Sequence, residues 1–109
     1  MCGVAGIVRA DPADAVEEGA LLRMARSIRH RGPDGYGLLL DPGAGLVSTR
    51  LSIVDLEHGW QPLASDGGSV LVYNGEVYNH PELREWMRAL GIGVETRSDT
   101  EVVHRLLEH

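Results

Sequence analysis

Three strand-like segments follow one another through the middle of this chain with only turns between them. "YGLLL" begins at Tyr36, "GLVSTRLSI" at Gly45 and "SVLVYNG" at Ser69. The connections "DPGAG" and "DLEHGWQPLASDGG" carry the glycine, proline and aspartate of turns. A fourth candidate, "GVAGIV" from Gly3 to Val8, is small and β-branched and reads as a short buried strand. These strands outnumber what the helices of the chain could cover and leave sheet edges to be paired. Such a chain is therefore expected to be a portion of a larger fold.

Helical spacing lies on either side of the strands. From Ala15 to about Arg29, Val16, Ala20, Leu21, Met24 and Ile28 recur at helical intervals, with Asp11 or Asp14 placed to cap. "HRGPDG" ends that helix, because glycine and proline cannot continue it. "YNHPELREWMRALG" predicts a second helix, with capping-box spacing between Asn79 and Glu82 and an apolar face of Leu83, Trp86, Met87 and Leu90. "GVET" reads as a short strand leading to a third helix at "SDTE", where Ser98 and Glu101 repeat the capping-box spacing.

Composition narrows the function. With 109 residues, there is room for one domain and one core. A net charge of −6 without a basic run gives no nucleic-acid signature, and no apolar stretch approaches the length of a membrane span. All ten basic residues are arginine, which excludes a lysine-bearing phosphate loop and Schiff-base chemistry. The five histidines are scattered, so no metal site is expected. A lone cysteine excludes an internal disulfide, fits a reducing compartment and points to the cytoplasm.

That cysteine directly follows the initiator methionine. Removal of Met1 would put the α-amino group and the thiol on one residue, Cys2. The amine, with an ordinary pKa of about 7.7–8.0, is partly neutral near pH 7 and able to act as a base. Thiolate is the strongest side-chain nucleophile available, so Cys2 would carry both partners itself. A small residue entering a strand is the plainer account of the same position.

The stretches "MCGVAGIV", "RHRGPDG", "RLSIVD", "QPL", "YNGEVYN" and "RSDTE" resemble, in order and spacing, the N-terminal glutaminase domain of the asparagine synthetase family. These are class II glutamine amidotransferases of the N-terminal-nucleophile hydrolase type. The resemblance covers the whole chain and implies an α+β fold, part of a four-layer αββα sandwich of antiparallel sheets flanked by helices. It implies that Cys2 attacks the side-chain amide of glutamine, releasing ammonia and leaving a thioester for water to hydrolyse. Arg50 is similar to the arginine that grips the substrate α-carboxylate, with Leu51, Ser52, Ile53 and Val54 lining the same pocket. Asn74 and Gly75 resemble an oxyanion hole, Glu76 a substrate-contacting carboxylate, and Asp99 the partner of the substrate ammonium. "RHRGPDG" is given no catalytic step. Ser48 stands where many members of the family have histidine.

The resemblance also says what to expect beyond the chain. The family domain continues past this length, and an ATP-dependent synthetase domain or subunit would receive the ammonia. ATP and magnesium would belong to that part, with no cofactor in this one. A fragment without activity, or a glutamine-binding remnant or subunit completed by another polypeptide, is the alternative function.

Overall fold

The computed structural model describes residues 2–51 and 60–109. Mixed helices and antiparallel strands make it an α+β structure, as expected. In order, β1 is Gly3–Val8, α1 Glu18–Ser27, β2 Gly35–Asp41, β3 Ala44–Arg50, β4 Leu63–Ala64, β5 Val70–Leu71, α2 His80–Ala89 and α3 Asp99–Glu108, with a 3-10 turn at Arg29–Arg31 after α1. β3 is the centre of a three-stranded sheet, antiparallel to β1 on one side and β2 on the other. The β2–β3 hairpin closes through Pro42 and Gly43. Proline presets the first turn residue, and glycine accepts the φ of +72° at the second.

α1 covers one face of this sheet, with Leu21 fully buried beneath it and Val47 of β3 likewise. On the opposite face Val4 and Val8 are left exposed, at 39% and 81%. α2 packs on α3, where Met87 and Val102 are wholly buried. No helix among the described residues is long and apolar enough to cross a membrane.

Glycines on β2 shape the ground beneath the site. Gly35 and Gly37 lie two residues apart and so share a face of the strand. The ring of Trp60 lies over Gly35, where a Cβ would come within 3.1 Å of it. The Gln61 carbonyl lies over Gly37, where a Cβ would collide with its oxygen. A side chain at Gly37 has no room, so Gly37→Ala should destabilise the protein by about 3 kcal/mol. Denaturant titration checks this, and an unchanged midpoint would contradict it.

Several local expectations are corrected by long-range competition for hydrogen bonds. The strand expected over "SVLVYNG" is only Val70–Leu71, paired with Leu63–Ala64. Pro62 has no N–H to extend the ladder, and the Tyr73 amide donates to the Gln61 side chain instead. "GVET" is not a strand, because the Glu95 and Thr96 amides both donate to the Glu101 carboxylate. That use of Glu101 also breaks the expected capping box. Ser98 does cap α3, accepting from the Thr100 amide.

The helix expected from Ala15 begins at Glu18, with no side-chain cap from Asp11 or Asp14. Asp11 instead accepts from the Ala13 amide in the preceding turn. At α2 the Asn79 side chain makes no capping bond, and Pro81 sits in the first turn. The end of the strand expected over "GLVSTRLSI", Ser52 and Ile53, lies outside the described residues.

Candidate active site

β1 enters the sheet one residue after Cys2. The Gly3 amide donates to the Thr49 hydroxyl, which donates to the carbonyl of Ile28 at the end of α1. This pairing seats the start of the chain beside the end of β3. The Leu51 amide donates to the Cys2 sulfur at 3.4 Å, and the thiol is 3.9 Å from the Leu51 carbonyl.

A cavity of about 580 Å³ opens from this sulfur. Cys2, Arg50, Leu51, Asn74, Gly75, Glu76 and Asp99 all line it, so residues spread from the second to the ninety-ninth position converge there. Ser52, Ile53 and Val54, expected in the same pocket, lie outside the described residues. Two arginines, Arg50 and Arg97, and two carboxylates, Glu76 and Asp99, give the walls both signs of charge. Ser48 is buried within β3.

Each wall is held by a different element. Arg50 ends β3 and is 6% exposed. Its guanidinium lies 4.5 Å from the centroid of the Trp60 ring, and that stack restrains the plane of the fork. Asp99 is the first residue of α3, and its carboxylate accepts from the Val77 amide at 2.9 Å. Arg84 of α2 donates to the carbonyls of Thr96 and Ser98, which fixes the entry into α3. Asn74–Gly75–Glu76 leaves β5 without a returning strand, so the pair is not a hairpin turn.

The hairpin that carries this loop is tied to α3. Ser69 and His104 share a hydrogen bond of 2.7 Å, and Glu108 accepts from both Ser65 and Ser69. Burial, with the charges of Asp99 and Glu76 behind it, raises the Tyr73 phenol above its usual range and keeps it neutral.

Glu101 fastens the segment before α3 from within. Burial opposes its charge, but hydrogen bonds from the Glu95 amide and from Thr96, together with the Arg105 guanidinium, hold its carboxyl below the usual range. A lowered folded pKa stabilises the protein above the unfolded value of about 4.5 and loses that contribution as pH falls through the folded value. Glu101→Gln should therefore lower the melting temperature at pH 7, with the difference shrinking below about pH 4.5. An equal difference at all pH values would contradict this role.

Trp60, Gln61 and Tyr73 were not predicted as site residues. "QPL" contains Gln61 and "YNGEVYN" begins at Tyr73, but the sequence assigns neither residue a role, and no motif includes Trp60. Trp60→Ala should raise KM for a carboxylate-bearing substrate about fivefold, near 1 kcal/mol, with little change in kcat. Steady-state kinetics would show it, and an unchanged KM would remove Trp60 from the site.

Comparison with known proteins places the chain in a family. A family model described as the glutamine amidotransferase domain matches residues 1–109. Asparagine synthetase [glutamine-hydrolyzing] 1 of Bacillus subtilis is 40% identical over 112 residues, covering 100% of this chain and 18% of that protein. The probable asparagine synthetase [glutamine-hydrolyzing] of Schizosaccharomyces pombe is 41% identical over 105 residues, covering 94% of this chain and 18% of that protein. Its Dictyostelium discoideum counterpart is 40% identical over 115 residues, with 99% of this chain and 20% of that protein covered. The chain thus spans about a fifth of the length of these curated relatives.

Proposed function

This chain belongs to the glutamine amidotransferase domain family, and from that membership we propose that it hydrolyses glutamine to glutamate and ammonia with Cys2 as nucleophile. The observation that carries the reading is the single cavity joining the Cys2 sulfur to Arg50, Asn74, Gly75, Glu76 and Asp99. A wall bearing both signs of charge suits a zwitterionic amino acid. Arg50 takes the α-carboxylate through its fork, while Asp99 and Glu76 take the ammonium.

Removal of Met1 frees the Cys2 amine, which accepts the thiol proton as sulfur attacks the side-chain carbonyl carbon. The oxygen of the tetrahedral intermediate takes up the negative charge, stabilised by the Asn74 side-chain amide and the Gly75 N–H. Collapse breaks the carbon–nitrogen bond, and the amine returns its proton to the departing nitrogen, giving ammonia and a γ-glutamyl thioester. Water, deprotonated by the same amine, then attacks the thioester and releases glutamate and the thiol. Leu51 steadies the sulfur through its amide.

Relatives named as glutamine-hydrolysing asparagine synthetases support a role in amide synthesis. Ammonia would pass to an ATP-dependent synthetase domain or subunit, where ATP and magnesium would act. The sheet face bearing exposed Val4 and Val8 is where a second sheet would complete the four-layer sandwich. The setting is the cytoplasm.

The test is an assay of the intact protein with L-glutamine, together with the mass of its N-terminal peptide. Equal release of glutamate and ammonia from a protein lacking Met1 is expected. Glutamine binding without release would instead favour a binding remnant, and retained Met1 would leave Cys2 without its amine.

A further inference from the structure

Gln61 has no role in the chemistry above, yet its side chain joins two parts of the site that do. Extending the β4–β5 register places Gln61 opposite Tyr73. There the side chain takes the place of the missing backbone ladder. Its Oε1 accepts from the Tyr73 amide at 2.5 Å, and its Nε2 donates to the Thr100 hydroxyl at 3.3 Å. Tyr73 immediately precedes Asn74, and Thr100 immediately follows Asp99. One primary amide therefore spans from the oxyanion loop to the residue beside the ammonium-binding carboxylate.

The loop is held at its other end too, since the Val77 amide donates to Asp99. Residues 74–76 are thus suspended between two hydrogen bonds, one from the Tyr73 amide to Gln61 and one from the Val77 amide to Asp99, both tied to the start of α3. The Gln61 backbone is itself fixed, because its carbonyl lies against the bare Gly37 of β2. Thr100 is 7% exposed, so the far end of the bridge is anchored in a buried position. An amide suits this place because it offers an acceptor and a donor on one planar group.

We propose that Gln61 is a positioning residue of the glutaminase reaction, setting the distance between the Asn74–Gly75 oxyanion donors and Asp99. This rests on the glutamine-hydrolysis reading of the cavity. An oxyanion donor displaced by about 1 Å loses much of its effect on the transition state, while ground-state binding of the amino-acid end is less affected.

The experiment compares the intact wild-type protein with Gln61→Met, which keeps the length and removes both hydrogen bonds. Thr100→Val cuts only the α3 end, and Thr100→Ser retains its hydroxyl. Glutamate release is measured over a range of glutamine concentrations, with thermal melts alongside. The expected result is that Gln61→Met lowers kcat by about 10- to 100-fold while KM stays within about threefold.

Thr100→Val should lower kcat less, by about 5- to 10-fold, and Thr100→Ser should recover most of that loss. A Gln61→Met protein with kcat within twofold of wild type, or a loss confined to KM, overturns the proposal. Should Gln61→Met fail to fold, the threonine pair decides, and equal kcat for Thr100→Val and wild type is the overturning result. Wild type that releases no glutamate takes down the glutaminase reading and this inference together. An active wild type with indifferent variants takes down this inference alone.

Discussion

Cys2→Ala should reduce glutamine hydrolysis at least about 10⁴-fold, to the background of the assay, without a large change in stability. The chain has no second thiol to substitute, and the Cys2 sulfur is the group to which the Leu51 amide donates at the cavity. Cys2 lies outside β1 and is only partly buried, so trimming it to a methyl leaves the β1–β3 pairing in place. Glutamine binding should persist, because Arg50, Glu76 and Asp99 are untouched. Binding by calorimetry and turnover by glutamate release separate the two effects. Residual turnover above a hundredth of wild type would place the chemistry elsewhere.

Asn74→Ala should lower kcat by about 10²–10³-fold with KM nearly unchanged. In the proposed mechanism the side-chain amide meets charge that exists only in the transition state, so its loss should leave substrate binding in place. Asn74→Asp should be at least as harmful, since a carboxylate repels the developing oxyanion. The second donor cannot be removed by mutation, because it is the backbone of Gly75. That glycine has a packing reason as well, as a Cβ would sit 2.5 Å from the Tyr73 phenol oxygen. A matching rise in KM would mean that Asn74 contacts the ground state instead.

The parts of this fold legible in the sequence were those set by local spacing. β1, the break at "HRGPDG", α2 and α3 follow from periodicity, glycine and proline, and they stand within a few residues of their expected limits. The convergence of Cys2, Arg50, Asn74, Gly75, Glu76 and Asp99 came from family resemblance and not from periodicity. Spacing alone does not say that a β1 terminus, a β3 terminus and a helix start will meet.

What stayed hidden was settled by side chains reaching across the fold for backbone groups. Glu101 draws the Glu95 and Thr96 amides away from strand pairing, and Gln61 does the same to Tyr73. Propensity favours a strand at "GVET" and a longer one at "SVLVYNG". A carboxylate and an amide distant in sequence outbid it. Trp60 stacking on Arg50 was equally invisible, because it depends on the bare strip of Gly35 and Gly37 beneath it.

The most direct measurement is the mass of the intact protein, mixed with glutamine, quenched in acid within milliseconds and digested to its N-terminal peptide. The account predicts a peptide that begins at Cys2 and carries one γ-glutamyl group, removable by hydroxylamine as a thioester is. Glutamate release by a protein that still bears Met1, or a glutamyl group on any other residue, would contradict it.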